Sequence, residues 1–365
     1  MKPGHRVVVS EYGETPMAAL EEHLSIAVQE APKPGDLNND DVIVRVRSAQ
    51  VNWVDVIMMS GQYQHMPRPP YCPGLEYAGD VVWAGADASF SVGDRVLSDG
   101  LLTGPRSIGE HRAWGGFATY AVAPSHALWA LPERLSYDEG CSILGGYETA
   151  YHCLIHRGRL KAGERLLIHG ASGSIGLAAV HIAKLVGATV IATGRTRAKL
   201  ELVQAQGADH IVETTDADGN ARAFRDEVKA LSEGAGVDVV YDGVGGAISL
   251  ESLRCVRFGA RFLIAGWAAT PFVSKGKGKR GAPNANLLPT NLIMMKGLDV
   301  LGCPAAISVH RDPSVRVERL GAIRRWLEEG AITPVVGKTY PLADVKDAMR
   351  AKWKSACVGT VCVHP

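Results

Sequence analysis

The stretch that most limits what this chain can fold into is Leu166-Leu-Ile-His-Gly-Ala-Ser-Gly-Ser-Ile-Gly176. An apolar strand runs into a glycine turn and then into a helix of small residues, Leu177-Ala-Ala-Val-His-Ile-Ala-Lys-Leu185. A second strand, Thr189-Val-Ile-Ala-Thr193, follows. The turn alone, Gly170-x-x-Gly173-x-x-Gly176 with Ala171 at the first glycine place of G-x-G-x-x-G, would also suit another α/β domain. The order strand, turn, helix, strand is the opening of a doubly wound parallel sheet that binds dinucleotides. A helix starting near Ser174 offers backbone N–H groups and the positive end of its dipole to a diphosphate. Gly170, Ser172, Gly173, Ser174, Ile175 and Gly176 are the candidate cradle.

The end of the second strand selects the cofactor. An NAD site carries Asp or Glu about 20 residues after the glycines, to hold the ribose 2′-OH. Here the place holds Thr193, Gly194, Arg195 and Thr196, with Lys199 one helical turn on. A cationic pocket without a carboxylate suits a 2′-phosphate, so the reading is NADPH.

The chain has 365 residues, enough for two domains. A formal net charge of +1 gives no electrostatic case for nucleic acid or membrane as partner. No run approaches the roughly 18 apolar residues of a spanning helix. Met1-Lys-Pro-Gly-His-Arg6 leads into a strand without a signal-peptide core, so the expected location is cytoplasmic. The cysteines at 72, 141, 153, 255, 303, 357 and 362 are odd in number and widely spaced. They suggest small buried residues rather than a disulfide framework.

Residues 1–130 are rich in short strands punctuated by Gly and Pro, among them Val42–Arg47, Ala78–Trp83 and Asp94–Leu97. They predict a β-rich, barrel-like domain. From about 137 strands and helices alternate. Strands are expected at Arg165–His169, Thr189–Thr193, His210–Val212, Val237–Asp242, Ala260–Ala265 and Asp299–Gly302. Helices are expected at Arg197–Gln206 and Ala221–Ser232. This predicts a parallel sheet covered on both faces. A helix at Ser314–Glu329, a strand at Pro334–Tyr340, a helix near Leu342–Lys352 and a strand at Gly359–Val363 should return to the first domain. The expected domains are therefore 1–136 with 304–365, and 137–303. The basic segment Ser274–Gly281 reads either as a solvated insertion or as a phosphate-binding flap.

A series of motifs, in order, carries a family resemblance. They are Asn52-Trp-Val-Asp55, Ser60-Gly-Gln-Tyr63, Pro73-Gly-Leu-Glu-Tyr-Ala-Gly79, Val92-Gly-Asp-Arg-Val96 and Gly115-Gly-Phe-Ala-Thr-Tyr-Ala121. Then come Thr149-Ala-Tyr151, the Gly170–Gly176 turn, Gly207-Ala-Asp-His210 and Tyr241-Asp-Gly-Val-Gly-Gly246. Almost end to end, the chain resembles the zinc-free medium-chain dehydrogenases/reductases of the quinone oxidoreductase (zeta-crystallin-like) branch. The resemblance implies a GroES-like β-rich catalytic domain beside the dinucleotide-binding (Rossmann) domain. Zinc-dependent relatives place a Cys ahead of the Asp of the first motif and a His before the Glu of the third. Here those places hold Asn52 and Leu75, and no cysteine lies between Cys72 and Cys141. No metal is expected, because zinc needs converging S or N ligands.

Without such a Lewis acid, hydride must go to an acceptor that is already electron-poor: a quinone, an enone or an enoyl thioester. The resemblance implies that Asn52 lines the nicotinamide pocket and donates to the acceptor's oxygen; the other reading is an Asn satisfying a turn. Tyr63 matches the proton donor of mitochondrial enoyl-thioester reductases. Its phenol, with an ordinary pKa of about 10, stays protonated at neutral pH; the other reading is packing. Thr149, Val244, Gly266 and Trp267 would approach the nicotinamide, though Trp267 could equally belong to the core. The Lys that often follows the last Gly in this family is replaced by Thr360. The leading expectation is an NADPH-dependent, zinc-independent quinone reductase. Its rival is an enoyl-thioester or enone C=C reductase. A reading of another class is a non-catalytic crystallin-like or RNA-binding protein. The apolar edge strand 299–302 predicts a homodimer.

Overall fold

The computed structural model describes all residues except 64, 66, 108–109, 271–276 and 278–284. The chain divides into two compact units. The first comprises the described residues of 1–145 and 333–365 with Lys277, and the second comprises residues 146–270 and 285–332.

In the first unit β1 (Gly4–Val9) and β2 (Leu24–Gln29) form an antiparallel pair. β3 (Asp41–Gln50) is the long central strand. It pairs antiparallel with β4 (Glu76–Ala84) and β6 (Tyr120–Pro124). β5 (Arg95–Ser98) joins β4, and β7 (Leu128–Ala130) joins β5. The alternation in β3 explains its place. Val42, Val44 and Val46 enter one core with Val56, Leu75, Tyr77 and Phe117, while Arg45 and Arg47 are exposed.

In the second unit the strands are β8 (Arg165–Ile168), β9 (Thr189–Gly194), β10 (His210–Glu213), β11 (Val237–Asp242), β12 (Val256–Ile264) and β13 (Asp299–Gly302). They form one parallel sheet in the order β10-β9-β8-β11-β12-β13. The order reverses between β8 and β11, the topological switch point where ligands bind in such sheets. Helix Ser174–Val186 buries Leu177, Ala178, Val180, Ile182 and Ala183 and ends at Gly187, whose φ of 87° only glycine adopts at no cost. The last two strands, β14 (Val336–Pro341) and β15 (Thr360–His364), return to the first unit, where β15 pairs with β3.

Several expectations are corrected. Residues 304–332 belong with the parallel sheet, not with the β-rich unit. Arg316 and Arg319 of helix Arg316–Glu328 are buried there against Glu148, and that ion-pair cluster holds the segment. β12 begins at Val256 rather than Ala260, because a register shift against β11 accommodates Gly259 at φ 72°. The helix expected from Ala221 begins at Arg225. The backbone of Arg222 instead bonds the Thr214 carbonyl (3.0 Å), and Ala221 bridges Thr215. The basic segment 274–281 lies outside the described residues, Lys277 excepted. No helix among the described residues is long and apolar enough to cross a membrane.

Candidate active site

The glycine turn after β8 is built for close approach. Gly170 has φ 67°, and a Cβ on Gly176 would stand 2.4 Å from the Gly170 carbonyl oxygen, so the helix rests on the turn's own backbone. Ala171 N–H donates to Thr193 O (3.2 Å) and Gly173 N–H to Gly170 O (3.1 Å). Gly173 stands at the N-cap, so the cap residue brings no side chain to the first-turn amides. Gly173 and Ile175 are exposed at the crest, Ser172 and Ser174 half-buried and Gly176 buried.

A second turn, Gly243–Gly246, follows β11 and is fixed by a network that the sequence did not reveal. Buried Asp242 accepts the N–H groups of Val244 (2.8 Å) and Gly245 (2.9 Å) and the hydroxyl of Ser249. Asn286 donates to Ser249 Oγ (3.1 Å) and accepts from Gly246 N–H (3.1 Å). The segment after β12 docks on this turn, with Gly266 N–H on Asp242 O (3.2 Å) and Ala269 N–H on Val244 O (2.8 Å). Val244 Cγ2 lies 3.3 Å from where a Cβ on Gly170 would stand, and Trp267 Cα lies 3.1 Å from the corresponding point on Gly245. Gly170–Gly176, Val244, Gly266 and Trp267 therefore meet at the carboxyl ends of β8, β11 and β12. Trp267 is 49% exposed, which removes the alternative of a core tryptophan.

At the end of β9 the side chains divide. Thr193 points inward to the buried His169, whose Nδ1 lies 2.7 Å from its hydroxyl; His169 Nε2 lies 2.6 Å from Ser252 Oγ. Thr193 is thus structural. Arg195 and Thr196 are exposed and Lys199 is half-buried. The turn they stand on is held from β10's side: Thr214 N–H and Oγ1 donate to Gly194 O (2.9 and 3.1 Å), and Thr215 Oγ1 donates to Arg195 O (2.7 Å).

Thr149 is half-buried on helix Leu144–Tyr151. Its neighbour Glu148 is buried and accepts Arg316 Nε (2.9 Å), a second Arg316 nitrogen and Arg319 (3.4 Å). The helix continues into a π-helical turn, His152–Arg157, a feature frequent at functional sites.

In the first unit, Asn52 caps helix Trp53–Met58. Its backbone N–H donates to Asp55 (2.9 Å), and Asp55 also accepts Gly74 N–H (2.9 Å), tying two of the motifs together. Burial pushes the Asp55 carboxyl up to about 6. Asn52 Nδ2 donates to Glu76 (3.2 Å). Glu76 is itself buried, 4.0 Å from Arg106, and accepts the Gln50 amide (2.9 Å) in the orientation that also satisfies Cys141 O. Glu76, Gln50 and Arg106 form a buried polar group beside Asn52 that the sequence reading missed. The signal was present: a charged residue between buried Leu75 and Tyr77 demands partners. Tyr63 is half-buried against the unit's core. Trp53 stacks on Trp353 at 4.7 Å, bracing the helix that carries Asn52. Leu75 is fully buried, and among the described residues no group of three His, Cys, Asp or Glu is placed to hold a metal.

Residues 38–133 match the alcohol dehydrogenase GroES-like domain, and residues 174–307 match the zinc-binding dehydrogenase domain. A quinone oxidoreductase of Lama guanicoe is 30% identical over 353 residues, covering 95% of this chain and 94% of the relative. Among solved structures, a mycobacterial protein complexed with NADPH is 26% identical, with a TM-score of 0.77 over 99% of this chain and 100% of that one. A structure described as an NAD-dependent alcohol dehydrogenase is likewise 26% identical, with a TM-score of 0.78 and 99% coverage of both chains. A GroES-like unit joined to a parallel sheet with this glycine turn defines a medium-chain dehydrogenase/reductase, a dinucleotide-binding oxidoreductase. Within that class, the chain belongs to the quinone oxidoreductase family.

Proposed function

We propose that this protein is an NADPH-dependent, zinc-independent reductase of quinones. The observation that carries the reading is Asn52, bonded to Glu76 at the place where zinc-dependent relatives carry a metal-binding Cys. The residues present fit a dinucleotide: the helix rests directly on the turn, where a Cβ on Gly176 would clash with the Gly170 carbonyl, and the exposed N-cap Gly173 sets no side chain of its own between the helix start and a diphosphate. Bound there, NADPH supplies hydride to an electron-poor acceptor.

The chain's own residues bind, orient and protonate. Gly170, Ser172, Gly173, Ser174, Ile175 and Gly176 hold the diphosphate. Gly194, Arg195, Thr196 and Lys199 hold the 2′-phosphate by charge-assisted hydrogen bonds. Thr149, Val244, Gly266 and Trp267 flank the nicotinamide, and the Glu148–Arg316–Arg319 cluster fixes the helix bearing Thr149. Asn52 also lines the nicotinamide pocket. Glu76 occupies one N–H of its amide and so orients the other to donate to an acceptor oxygen that gains charge. For a quinone, solvent protonates the product oxygen. An enoyl thioester or enone needs a proton at carbon, and Tyr63 favours this second reading on the same scaffold.

The proposed assembly is a homodimer through β13, the open edge of the parallel sheet. Phe258, Met294 and Met295, exposed at 78%, 73% and 59%, lie on β12 and the helix before β13 and would also gain from cover. NADPH oxidation measured with quinones, enones and crotonyl thioesters separates the two enzymatic readings from each other and from a non-catalytic one.

A further inference from the structure

Helix Leu144–Tyr151 carries a glycine in its first turn that its backbone does not call for. Gly145 is helical and is not among the residues with positive φ. Alanine would favour the helix more, because glycine gives up more chain freedom on folding. The reason for glycine lies outside the helix. A Cβ on Gly145 would stand 2.5 Å from Glu76 Oε1, 2.6 Å from Oε2 and 2.9 Å from Cδ. All three nearest atoms belong to one carboxylate. Gly145 thus leaves to the Glu76 head the space that a side chain would take. The next residue differs: a Cβ on Gly146 would meet nothing closer than 3.6 Å, an ordinary contact.

The head is held from its other sides as well. Its Oε2 accepts Asn52 Nδ2 at 3.2 Å and the Gln50 amide at 2.9 Å, and its Oε1 lies 4.0 Å from Arg106. Gln50 is anchored in turn, since the same amide nitrogen lies 3.0 Å from Cys141 O. The Asn52 backbone is fixed by its bond to Asp55, so its amide turns only about its own side-chain bonds. Glu76 Oε2 is the partner that sets where that amide points. The carboxylate is also the movable part, the far end of a flexible side chain, whereas Gly145 Cα is fixed in a helix. Ordinary contact starts near 3.4 Å, so a methyl group at 145 would push the head by about 1 Å and leave strand and helix in place. A shift of that size carries a 3.2 Å bond out of hydrogen-bond range or drags the amide with it.

We propose that Gly145 is a positioning residue. By leaving its side-chain space to the Glu76 carboxylate it keeps Oε2 on the Asn52 amide, and so aims the second N–H of that amide at the acceptor oxygen. The inference rests on the reading of Asn52 as the donor to that oxygen.

The test compares Gly145→Ala, Asn52→Ala, the double variant and Gly321→Ala in the full-length protein. Gly321 lies in helix Arg316–Glu328 with open space where a Cβ would stand, so it makes the same change to a helix without displacing anything. Gly145→Ala should fold and bind NADPH as the wild type does, measured by nicotinamide fluorescence. Its crystal structure should show the Glu76 head displaced and the Asn52 amide turned from its wild-type direction. Its kcat with a quinone should fall about 10- to 100-fold, the order that a misplacement of about 1 Å costs. Asn52→Ala should lose at least as much, and adding Gly145→Ala should cost nothing further, because the one acts through the other. Gly321→Ala should match the wild type. A Gly145→Ala structure with the Glu76–Asn52 bond intact would overturn the proposal. So would wild-type turnover of Gly145→Ala beside an impaired Asn52→Ala, or losses that multiply in the double variant. Wild-type turnover of Asn52→Ala would instead overturn the reading of Asn52, and with it the role of Gly145 in turnover; the Gly145→Ala structure would still show whether Gly145 seats Glu76.

Discussion

His169 Nδ1 stands 2.7 Å from Thr193 Oγ1, across the gap between the ends of β8 and β9. Burial keeps the His169 ring neutral; with Ser252 Oγ donating to Ile248 O (2.6 Å), Nε2–H donates to Ser252 and Nδ1 faces the Thr193 hydroxyl, which also lies 3.2 Å from Ile168 O. A chain of hydrogen bonds thus ties both strand ends to helix Ala247–Cys255 beneath the glycine turn.

This sets a pH dependence. Burial lowers the His169 pKa to about 4, and burial with Arg319 does the same for His152. The unfolded chain binds these protons near pH 6.5, so the stability they protect is full above that value and is lost as pH falls toward 4. Asp55 acts in the opposite sense. Its folded pKa is raised to about 6, so its burial becomes costly as pH rises from about 4 to 6. The cost reaches about 3 kcal/mol for two units. Urea unfolding of Asp55→Asn from pH 4 to 7 should therefore show stability rising more steeply with pH than in the wild type. Parallel curves would contradict the assignment.

Arg195→Asp should weaken NADPH by about 1.5–3 kcal/mol, the worth of one charge-assisted bond to a phosphate, and leave NADH nearly unchanged. Titration calorimetry with both cofactors checks this. Equal wild-type affinity for the two would remove the 2′-phosphate reading of Gly194–Lys199.

Tyr63→Phe distinguishes the acceptors. If the phenol protonates carbon, turnover of an enone or enoyl thioester should fall about 10²–10⁴-fold, while quinone turnover changes little. No change with either acceptor would leave Tyr63 a packing residue.

Light scattering should give about twice the chain mass, because a C₂ pairing of β13 covers an exposed edge. A stable monomer at micromolar concentration would count against the pairing.

The parallel sheet was legible because strands buried on both faces read as apolar runs. Val237–Asp242 and Asp299–Gly302 occur at the expected residues. What escaped the reading depends on distant partners. The bond from Asn286 to Ser249 spans 37 residues, and the pairing of Arg316 with Glu148 spans 168. No local pattern announces either, and the second decides the allegiance of residues 304–332. Asn52 was singled out by its place in a motif, but its tie to Glu76 emerged only when β4 was laid beside β3. Thr193 was read as part of the cofactor pocket, yet its strand end turns it toward His169.

The most direct test of the account is steady-state NADPH oxidation by metal-free, chelator-treated enzyme with a panel of quinones beside crotonyl thioesters and enones. The account predicts turnover with quinones, undiminished by the chelator, and weaker turnover with the C=C substrates. Turnover confined to C=C acceptors, loss of activity on chelation, or none with any acceptor would contradict it.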